Sequence, residues 1–364
     1  MKASDYIASV IGGYCPFVVQ GGAAVHLIDS LARGGHRYVC CAHEQAAGMA
    51  ADGYAKMRGL GVAITTCGPG ATNVMTAAAS AFFERVPVLY LVGQQHVFQE
   101  MDVVGMSRGV SAFAKQVTDP ATLVDDLWAA LNATHTGPAL LNIFDEVYYA
   151  DINDSFRARF SPGAWAPPVV GHIFGNQRAV LPDNEMIWIA SGSVNPYHFM
   201  QRLNEHNCTF VTDIGNHGVW VKQAANRPVI ADNNFGAMGY AIAASMGVAL
   251  AGATVACVTG DGAIQMNIQE LATIAKHDLD IKIFVLNNGG YGMIRCTQDK
   301  WLGSRHAGCD LTDLPLVDLE RVATAYGIPN RRWETHQDID FESIFKMHGP
   351  MLINVTIDPD QGVY

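Results

Sequence analysis

Two polar turns, each following an apolar strand-like run, constrain this chain more than any other feature of its sequence. The first, Gly260-Asp261-Gly262, follows the run from Thr254 to Val258. The second, Asn287-Asn288, follows the run from Ile281 to Leu286. The interval between the turns holds one predicted helix, from about Ile264 to Lys276, and one strand. We therefore expect the chain to return to the same edge of a parallel sheet, where such sheets bind ligands.

The residue types in these turns indicate a phosphate and a metal ion. Glycines let backbone amides approach an anion, and the start of a helix favours phosphate. A carboxylate in the same turn repels phosphate unless a cation lies between them. Asp261, Asn288 and backbone oxygens are the hard ligands that Mg²⁺ prefers when it also holds phosphates. Taken alone, a Gly-Asp-Gly turn is weak evidence, since such turns often merely connect a strand to a helix.

Composition excludes several classes of protein. The chain has 364 residues, of which 49% are hydrophobic and 16% charged, so it is too apolar for a disordered chain. Its net charge of −11 argues against a general nucleic-acid binder, because phosphate backbones are held by basic surfaces. We expect no membrane span and no secretory leader. Eight scattered cysteines without a C-x-x-C pair indicate buried free thiols in a reducing cytoplasm, and hence a cytoplasmic protein.

Strand-like and helix-like segments alternate along the chain, which predicts an α/β protein with two doubly wound domains and parallel sheets. The segment from Ser161 to Pro168 contains three prolines and one glycine, a composition typical of a linker. We place the first domain at residues 1–150, the linker at 151–186 and the second domain at 187–364, with its first strand near Met186 to Ile189. In the first domain we expect strands at 17–19, 38–41, 62–66, 86–92 and 140–144, and helices at 23–31, 45–57 and 71–83.

The two turns together resemble the signature of thiamin diphosphate enzymes, in which the aspartate and the second asparagine bind Mg²⁺. The rest of the chain resembles acetolactate synthase, a member of that superfamily. The likeness is carried by His43-Glu44-Gln45 onward to Ala55, Cys67 to Asn73, Phe98 to Gly105, Asp213 to Trp220, and Gly236 to Tyr240. It implies the three-layer thiamin diphosphate-binding fold, with a pyrimidine-binding domain at 1–150 and a diphosphate-binding domain at 187–364.

The resemblance assigns ligands to a bound Mg²⁺ and to thiamin diphosphate. The metal ligands would be Asp261, Asn288 and the backbone carbonyl of Gly290. Met238 would support the bent cofactor, and the turn Gly21-Gly22 would face its thiazolium, although Gln20 replaces the usual proline. The full set of expected cofactor-binding residues is Gly21, Gly22, Glu44, Asn216, His217, Gly236, Met238, Gly260, Asp261, Gly262, Ala263, Asn288, Gly290, Tyr291, Gly292 and Met293.

The same resemblance assigns catalytic roles to two side chains. Glu44 matches the glutamate that hydrogen-bonds the aminopyrimidine N1′ and promotes its imino form; the alternative is an exposed glutamate at a helix start, stabilised by the helix dipole. Gln94 matches a glutamine that faces the reacting carbonyl; the alternative is a polar residue that closes a strand. Core packing is the alternative for Met238, and a solvent-exposed side chain is the alternative for His217.

The sequence also departs from acetolactate synthase. The linker is too short for the middle domain of that family, so we expect no FAD site. Thr297 stands where the synthases usually carry a tryptophan that shapes the acceptor pocket. An anionic substrate tail would need a cation, and the candidates are Arg108, Lys115, Arg295 and Arg305, with ordinary surface charges as the alternative.

The leading hypothesis is an enzyme that uses thiamin diphosphate and Mg²⁺ to decarboxylate a pyruvate-like 2-oxo acid and transfer the resulting carbanion to an acceptor carbonyl. The alternative is a non-oxidative decarboxylase that releases an aldehyde, as phosphonopyruvate and sulfopyruvate decarboxylases do; these also lack the middle domain. The intact Glu44 and the metal motif argue against a non-catalytic cofactor-binding protein. A nicotinamide-binding Rossmann protein is disfavoured because the first βα turn lacks G-x-G-x-x-G. The resemblance further implies a homodimer or higher homo-oligomer with active sites between chains.

Overall fold

The computed structural model describes residues 1–152 and 192–363. The chain divides into two compact units, Met1–Gly171 and His172–Tyr364. Most of the expected linker, and the strand expected from Met186 to Ile189, lie outside the described residues. Each unit is built around its own parallel sheet, as described in turn below.

Unit 1 contains a six-stranded, all-parallel sheet in the order β2-β1-β3-β4-β6-β5. Its strands are β1 (Phe17–Val18), β2 (Val39–Cys40), β3 (Gly61–Thr65), β4 (Val88–Gln94), β5 (Phe113–Val117) and β6 (Ala139–Phe144). Its α-helices are α1 (Ala3–Ile11), α2 (Val25–Arg33), α3 (Glu44–Arg58), α4 (Pro69–Glu84), α5 (Val103–Ser107), α6 (Leu123–Ala133) and α7 (Asp145–Tyr149).

The middle of this sheet is fully buried, and the sequence shows why. Every residue of β3, β4 and β6 is buried, which matches their continuous apolar runs. Helix α3 is buried along most of its length and is rich in alanine and glycine. A Cβ on Gly48 would lie 2.5 Å from the Cβ of Ala77, so the glycine permits α3 to pack closely on α4. These elements hold the carboxyl ends of β1, β3 and β4 in fixed positions.

Unit 2 contains a second six-stranded, all-parallel sheet, in the order β11-β12-β10-β9-β7-β8. Its strands are β7 (Thr209–Thr212), β8 (Val229–Ala231), β9 (Val255–Gly260), β10 (Ile281–Asn287), β11 (Asn330–Trp333) and β12 (Met351–Thr356). Its α-helices are α8 (Pro196–Leu203), α9 (Asn216–Ala224), α10 (Tyr240–Leu250), α11 (Leu271–Lys276), α12 (Gly292–Leu302), α13 (Leu319–Ala325) and α14 (Phe341–Lys346).

An aromatic cluster fills one side of this second sheet. Phe199 on α8 packs against Phe284 on β10, with ring centroids 5.4 Å apart. Trp333 on β11 packs edge-on against Phe341 of α14, at 5.2 Å. All four rings are buried, and their contacts join helices α8 and α14 to the sheet. This packing leaves the carboxyl ends of β7, β9 and β10 to carry the polar turns.

The single helix expected from Ile264 to Lys276 is wrong in its first half. The chain forms a 3₁₀ helix at Ile264–Glu270 and then α11, with a non-helical residue at Asn267. The buried side-chain amide of Asn267 donates to the carbonyl of Gly239 at 3.0 Å, and this tertiary bond competes with a regular helix.

The fold class expected from the sequence is confirmed: the described residues form two α/β units with all-parallel sheets. Where the structure describes the chain, no helix combines the length and apolarity of a membrane span. All eight cysteines are free thiols, of which Cys40 and Cys296 are exposed and Cys41 is half-buried, so the expectation of buried thiols holds for the other five.

Candidate functional site

The turns after β9 and β10 meet through a direct hydrogen bond. The backbone N–H of Gly290 donates to Oδ2 of Asp261 at 2.7 Å. Asp261 is buried, and its burial raises the pKa of the carboxyl group to about 6, although the N–H groups of Gly290 and Gly262 hydrogen-bond the carboxylate. The expected return of the chain to the same sheet edge is therefore observed, since the two strands are neighbours in the sheet.

Asn288 and Asn216 converge over the backbone of Gly292. A Cβ on Gly292 would lie 2.3 Å from Nδ2 of Asn288 and 2.8 Å from Nδ2 of Asn216. Both asparagines are buried. Oδ1 of Asn216 has no hydrogen-bond partner within residues 1–152 and 192–363. The start of α9 and the start of α12 thus share one polar space, which only glycine at position 292 leaves open.

His217 lies over the end of β9. A Cβ on Gly260 would lie 2.8 Å from the Nδ1 atom of His217, so the imidazole covers this glycine. The ring is buried, which contradicts the solvent-exposed alternative. Burial, aided by the charge of Lys222, lowers the pKa of His217 to about 3, so the ring is neutral. Its Nε2 atom has no partner in the part of the chain that the structure describes.

The glycines of these turns are required by close approaches rather than by flexibility alone. A Cβ on Gly262 would lie 2.3 Å from the ring of Tyr291. Gly290 has φ +135°, and a Cβ there would lie 2.2 Å from the carbonyl oxygen of Cys309. A side chain at either position would displace the backbone that surrounds Asp261.

The loop before α10 carries the next two expected cofactor residues. Gly236 has φ +75°, and the carboxylate of Asp232 accepts hydrogen bonds from the N–H groups of Phe235 and Ala237. Met238 is half-buried, so core packing is not its whole environment. Of the two expected residues that complete the set, Ala263 is buried after the first turn and Met293 is half-buried in the first turn of α12.

Asp213, at the end of β7, is a buried polar residue to which the sequence analysis gave no role. Its carboxylate accepts hydrogen bonds from Oγ1 of Thr259 on β9 and from the N–H of Ala241 in α10. Burial raises its pKa to about 6. Asp213 therefore ties the end of β7, just before α9, to its neighbours. Its position after a strand is the one signal that could have identified it.

Unit 1 has its own polar cluster at the carboxyl edge of its sheet, centred on Glu44. This side chain is 9% exposed, which contradicts the alternative of an exposed glutamate. Oε2 of Glu44 accepts a hydrogen bond of 2.9 Å from Nδ2 of Asn73 on α4. A Cβ on Gly70 would lie 3.4 Å from Oε1, so the second oxygen faces the open side of that glycine. Asn73 thus orients Glu44 and leaves Oε1 available.

Thr66 connects this cluster to the turn Gly21-Gly22. A Cβ on Gly21 would lie 2.5 Å from the Cβ of Thr66, and a Cβ on Gly70 would lie 3.0 Å from its Cγ2. The structure therefore brings both Gly21 and Gly70 against the side chain of Thr66. Nothing in the local sequence pattern indicates that this threonine contacts two distant glycines.

Gln94 lies at the end of β4 and is fully buried. Its Oε1 accepts a long hydrogen bond, 3.5 Å, from Nδ2 of Asn142 on β6. Its Nε2 has no partner among the residues that the structure describes. The next residues turn outward: the ring of His96 pairs with Glu146 through Nε2 and Oε1 at 2.9 Å, and it packs at a tilt against the ring of Phe144.

Gln99 is a second residue of this edge that received no separate role from the sequence. Its φ is +57°, an uncommon conformation for a residue other than glycine. The thiol of Cys67 donates to Oε1 of Gln99 at 3.4 Å, and a Cβ on Gly68 would lie 2.8 Å from the Cβ of Gln99. No sequence pattern indicates this backbone conformation.

The four candidate cations for an anionic substrate tail have different surroundings. Lys115 pairs with Asp126, and Arg108 and Arg305 are exposed. Arg295 is buried and donates to backbone carbonyls. The burial of Arg295 contradicts the alternative of a surface charge, and its role toward a substrate stays a prediction.

The residues of unit 2 fit a diphosphate held through a divalent cation. Two buried polar atoms, Oδ1 of Asn216 and Nε2 of His217, lack partners at the start of α9. Because a helix N-terminus favours phosphate, they lie where an anion is stabilised. The Asp261 carboxylate supplies a hard anionic oxygen beside them. Within the described ranges, no group of three or more His, Cys, Asp or Glu residues offers a different metal site.

Two family models match this chain. Residues 1–112 match the thiamine pyrophosphate enzyme N-terminal TPP binding domain, and residues 213–355 match the C-terminal TPP binding domain. Thiamine pyrophosphate is another name for thiamin diphosphate. The two matches include Glu44 and Gln94 in the first model, and the turns at Asp261 and Asn288 in the second.

Among curated proteins, the chain is similar to several acetolactate synthases. It is 24% identical to the isozyme 2 large subunit of Escherichia coli (strain K12) over 514 residues, covering 96% of this chain and 93% of the relative. It is 23% identical to the acetolactate synthase of Arthrospira platensis, covering 96% and 92%. The large subunit from Cyanidium caldarium is 35% identical over 162 residues, covering 43% of this chain and 28% of the relative. Because the first aligned region is longer than the 364 residues of this chain, that relative contains an internal stretch that this chain lacks.

Proposed function

This chain belongs to the thiamine pyrophosphate enzymes, and from this premise we propose that it decarboxylates a pyruvate-like 2-oxo acid and transfers the two-carbon unit to an acceptor carbonyl. It is similar to acetolactate synthases but lacks their middle domain. We propose thiamin diphosphate and Mg²⁺ as its cofactors and expect no FAD. The single observation that carries the proposal is the hydrogen bond from Gly290 to Asp261, because it brings the two halves of the motif together.

When bound, thiamin diphosphate supplies a nucleophilic carbon and an acceptor for the electrons that departing CO₂ leaves behind. Asp261, Asn288 and the Gly290 carbonyl would hold Mg²⁺. His217 would bind the diphosphate by donating from Nε2, which lacks a partner in the described structure, and Asn216 would bind it by donating from its Nδ2 amide. The neutral state of His217 suits this role, since a neutral imidazole donates one N–H without needing a carboxylate partner.

Glu44 would hold a proton at the pyrimidine ring of the cofactor. Its burial in unit 1 and its hydrogen bond from Asn73 fix the carboxyl group in one orientation. Oε1 faces the space above Gly70, where a ring nitrogen could accept a hydrogen bond from a protonated carboxyl. Gln94 would face the reacting carbonyl, and its unpartnered Nε2 supplies a donor for that role. Both assignments are proposals from the resemblance.

The choice of carbon–carbon bond formation rests on the relatives, whose printed names are acetolactate synthases. One observation favours the alternative, a decarboxylase that releases an aldehyde. The pair of His96 and Glu146, at the end of β4, is a histidine–carboxylate pair on the same sheet edge as Gln94. Such a pair can deliver a proton, and protonation rather than transfer to a carbonyl yields an aldehyde.

We also propose that two copies of the chain complete each active site, and that the protein is cytoplasmic. Large exposed apolar side chains in each of the two units support the first proposal. In unit 1 these are Val97 and Phe98, 92% and 65% exposed; in unit 2 they are Trp301 and Leu311, 72% and 71% exposed. We infer that these side chains belong to surfaces that a second copy covers, since exposed apolar patches mark interaction surfaces.

The test separates the two reactions. The protein is stripped of cofactor, reloaded with thiamin diphosphate and Mg²⁺, and given a panel of 2-oxo acids with and without carbonyl acceptors. CO₂ release together with carbon–carbon bonded products supports the proposal. CO₂ release with free aldehyde alone supports the decarboxylase. If no 2-oxo acid is turned over and no cofactor binds, the proposed function is wrong.

A further inference from the structure

Arg295, in the first turns of α12, is a buried arginine whose hydrogen-bond partners, among residues 1–152 and 192–363, are all backbone carbonyls. It is 7% exposed. Its guanidinium donates from Nη2 to Asn288 at 2.8 Å and Pro359 at 3.0 Å, and from Nη1 to Gly289 at 3.2 Å and Cys309 at 3.5 Å. One side chain therefore joins three segments that are distant in sequence: the turn after β10, the chain at Cys309, and the chain after β12.

Two of these carbonyls belong to the turn that carries the proposed metal ligands. The carbonyl of Gly289 and the N–H of Gly290 are parts of a single planar peptide unit. Arg295 holds the oxygen of this unit, and the carboxylate of Asp261 accepts its N–H at 2.7 Å. This peptide plane is thus fixed from both ends, so the path of the backbone from Asn288 into Gly290 depends on both side chains.

The turn itself needs such an external restraint. Gly289 has φ +72° and Gly290 has φ +135°. Because both residues are glycines, no side chain limits the backbone dihedral angles at either position. The carbonyl of Cys309 accepts a hydrogen bond from the N–H of Tyr291 at 2.8 Å, which links the same turn to the segment that Arg295 also contacts. Removing the guanidinium would release both the turn from Asn288 to Gly290 and the segment at Cys309.

On this geometry, and resting on the proposed function, we propose that Arg295 is a positioning residue for the Mg²⁺–diphosphate site. It holds the turn from Asn288 to Gly290 in its binding conformation and touches neither cofactor nor substrate. A lysine cannot replace it fully, because one ammonium group lacks the planar fork that reaches carbonyls on several segments. The role belongs to the free protein and exists before any ligand binds.

The experiment measures Mg²⁺ affinity at saturating thiamin diphosphate, by calorimetric titration at low temperature, for the wild type, Arg295→Lys and Arg295→Gln. Loss of an outer residue that orients metal ligands typically weakens binding about 10- to 100-fold. We expect a loss in that range for Arg295→Gln and a smaller loss for Arg295→Lys, with KM for the 2-oxo acid at saturating Mg²⁺ unchanged. Arg321→Gln is the matched control, since Arg321 is exposed, pairs with Asp318 and has no proposed role at the site.

A purely structural role would lower the melting temperature of the apo protein without changing the Mg²⁺ affinity of the folded variants. Wild-type affinity in folded Arg295→Lys and Arg295→Gln therefore overturns the proposal. Arg295→Lys keeps the charge and most of the volume, so it carries the test where Arg295→Gln does not fold. A flat titration of the wild type overturns the proposed function instead, which distinguishes the two failures.

Discussion

The carboxylate of Asp261 and the backbone N–H of Gly290, 29 positions apart in the chain, are joined by a hydrogen bond of 2.7 Å. This bond brings the ends of β9 and β10 into one turn-to-turn contact at the carboxyl edge of a parallel sheet. It explains why the spacing of the two motifs matters: a helix and a strand are what the chain needs to return to a neighbouring position.

Substitution of Glu44 is predicted to separate catalysis from cofactor binding. Glu44→Gln keeps the shape of the side chain and its hydrogen bond from Asn73 but replaces Oε1 or Oε2 with an amide. Because acid–base groups contribute about 100-fold or more, we expect CO₂ release to fall by at least that factor while thiamin diphosphate still binds. Steady-state assays and calorimetry measure the two quantities. Glu342→Gln, an exposed pair with Lys346, is the control. Full activity in Glu44→Gln would show that the assignment is wrong.

Asn73→Ala is predicted to give a smaller effect at the same site. It removes the orienting hydrogen bond and leaves the carboxyl group in place. A typical hydrogen bond contributes about 0.5–1.5 kcal/mol, which corresponds to a loss of about twofold to 13-fold in turnover. An unchanged rate in Asn73→Ala would mean that the orientation of Glu44 is fixed by other contacts.

Gly290→Ala is predicted to disrupt the metal-binding turn. The new Cβ would meet the carbonyl of Cys309 at 2.2 Å in a backbone with φ +135°, so the turn must move. Backbone strain of this kind costs about 1–3 kcal/mol, measurable by urea denaturation, and Mg²⁺ binding should weaken with it. Gly308→Ala is the control because Gly308 also has positive φ, +64°, but has open space around it. Equal effects of the two substitutions would contradict this account of the turn.

The pH dependence of stability is predicted to include a pair of histidines in unit 2. Nδ1 of His198 lies 2.9 Å from Nδ1 of His336, and Nε2 of His336 accepts from the N–H of Asn195. The two facing Nδ1 atoms can share one proton, but there is no room for each of them to carry one. Burial, with the nearby charge of Arg202, lowers the pKa of His198; burial and His198 lower that of His336.

The sign follows from proton binding. With both pKa values lowered in the folded state, the unfolded chain binds more protons, so stability is full above the ordinary histidine pKa of about 6.5 and declines as pH falls below it. Melting temperatures from about pH 5 to pH 8 measure this slope. His336→Gln should flatten the slope, whereas His348→Gln, an exposed residue paired with Asp278, should leave it unchanged. An unaltered slope in His336→Gln contradicts the prediction.

The strands of the sheet centres could be predicted because burial on both faces leaves an unambiguous apolar run. β5 was missed because its sequence, Phe113 to Val117, is half exposed and contains lysine and glutamine, as an edge strand permits. Where the chain bends at Asn267, the cause is a hydrogen bond to a residue 28 positions away, which no local pattern reveals. The motif turns could be predicted because their polar residues follow directly after apolar strands, which is a local feature of the sequence.

Contacts around those motifs could not be predicted in the same way. Arg295 and Thr66 act through partners that are brought near by the fold, and their residue types alone indicate nothing specific. The ring of His217 is buried over Gly260 and Gly215. The sequence shows that these glycines lie in turns, but it does not indicate that the ring covers them. The sequence thus predicts which residues carry chemistry, and the structure shows which residues contact them.

Mixing two inactive variants is predicted to restore activity if sites form between chains. A Glu44→Gln chain keeps an intact unit 2, and an Asp261→Asn chain keeps an intact unit 1. In a two-fold dimer with sites shared between chains, a mixed pair contains one fully intact site, so random mixing should restore about a quarter of wild-type activity. The measurement is CO₂ release after the variants are unfolded, mixed and refolded together. No recovery would mean that each chain builds its own site or that the copies do not associate.

Calorimetric titration of the apo protein with thiamin diphosphate, in the presence and absence of Mg²⁺, tests the central claim most directly. The account predicts saturable binding of one cofactor per chain that requires Mg²⁺, and loss of this binding in Asp261→Asn but not in Asp299→Asn, whose carboxylate is exposed and pairs with His306. Absence of binding to the wild type with Mg²⁺ present, or undiminished binding to Asp261→Asn, would contradict it.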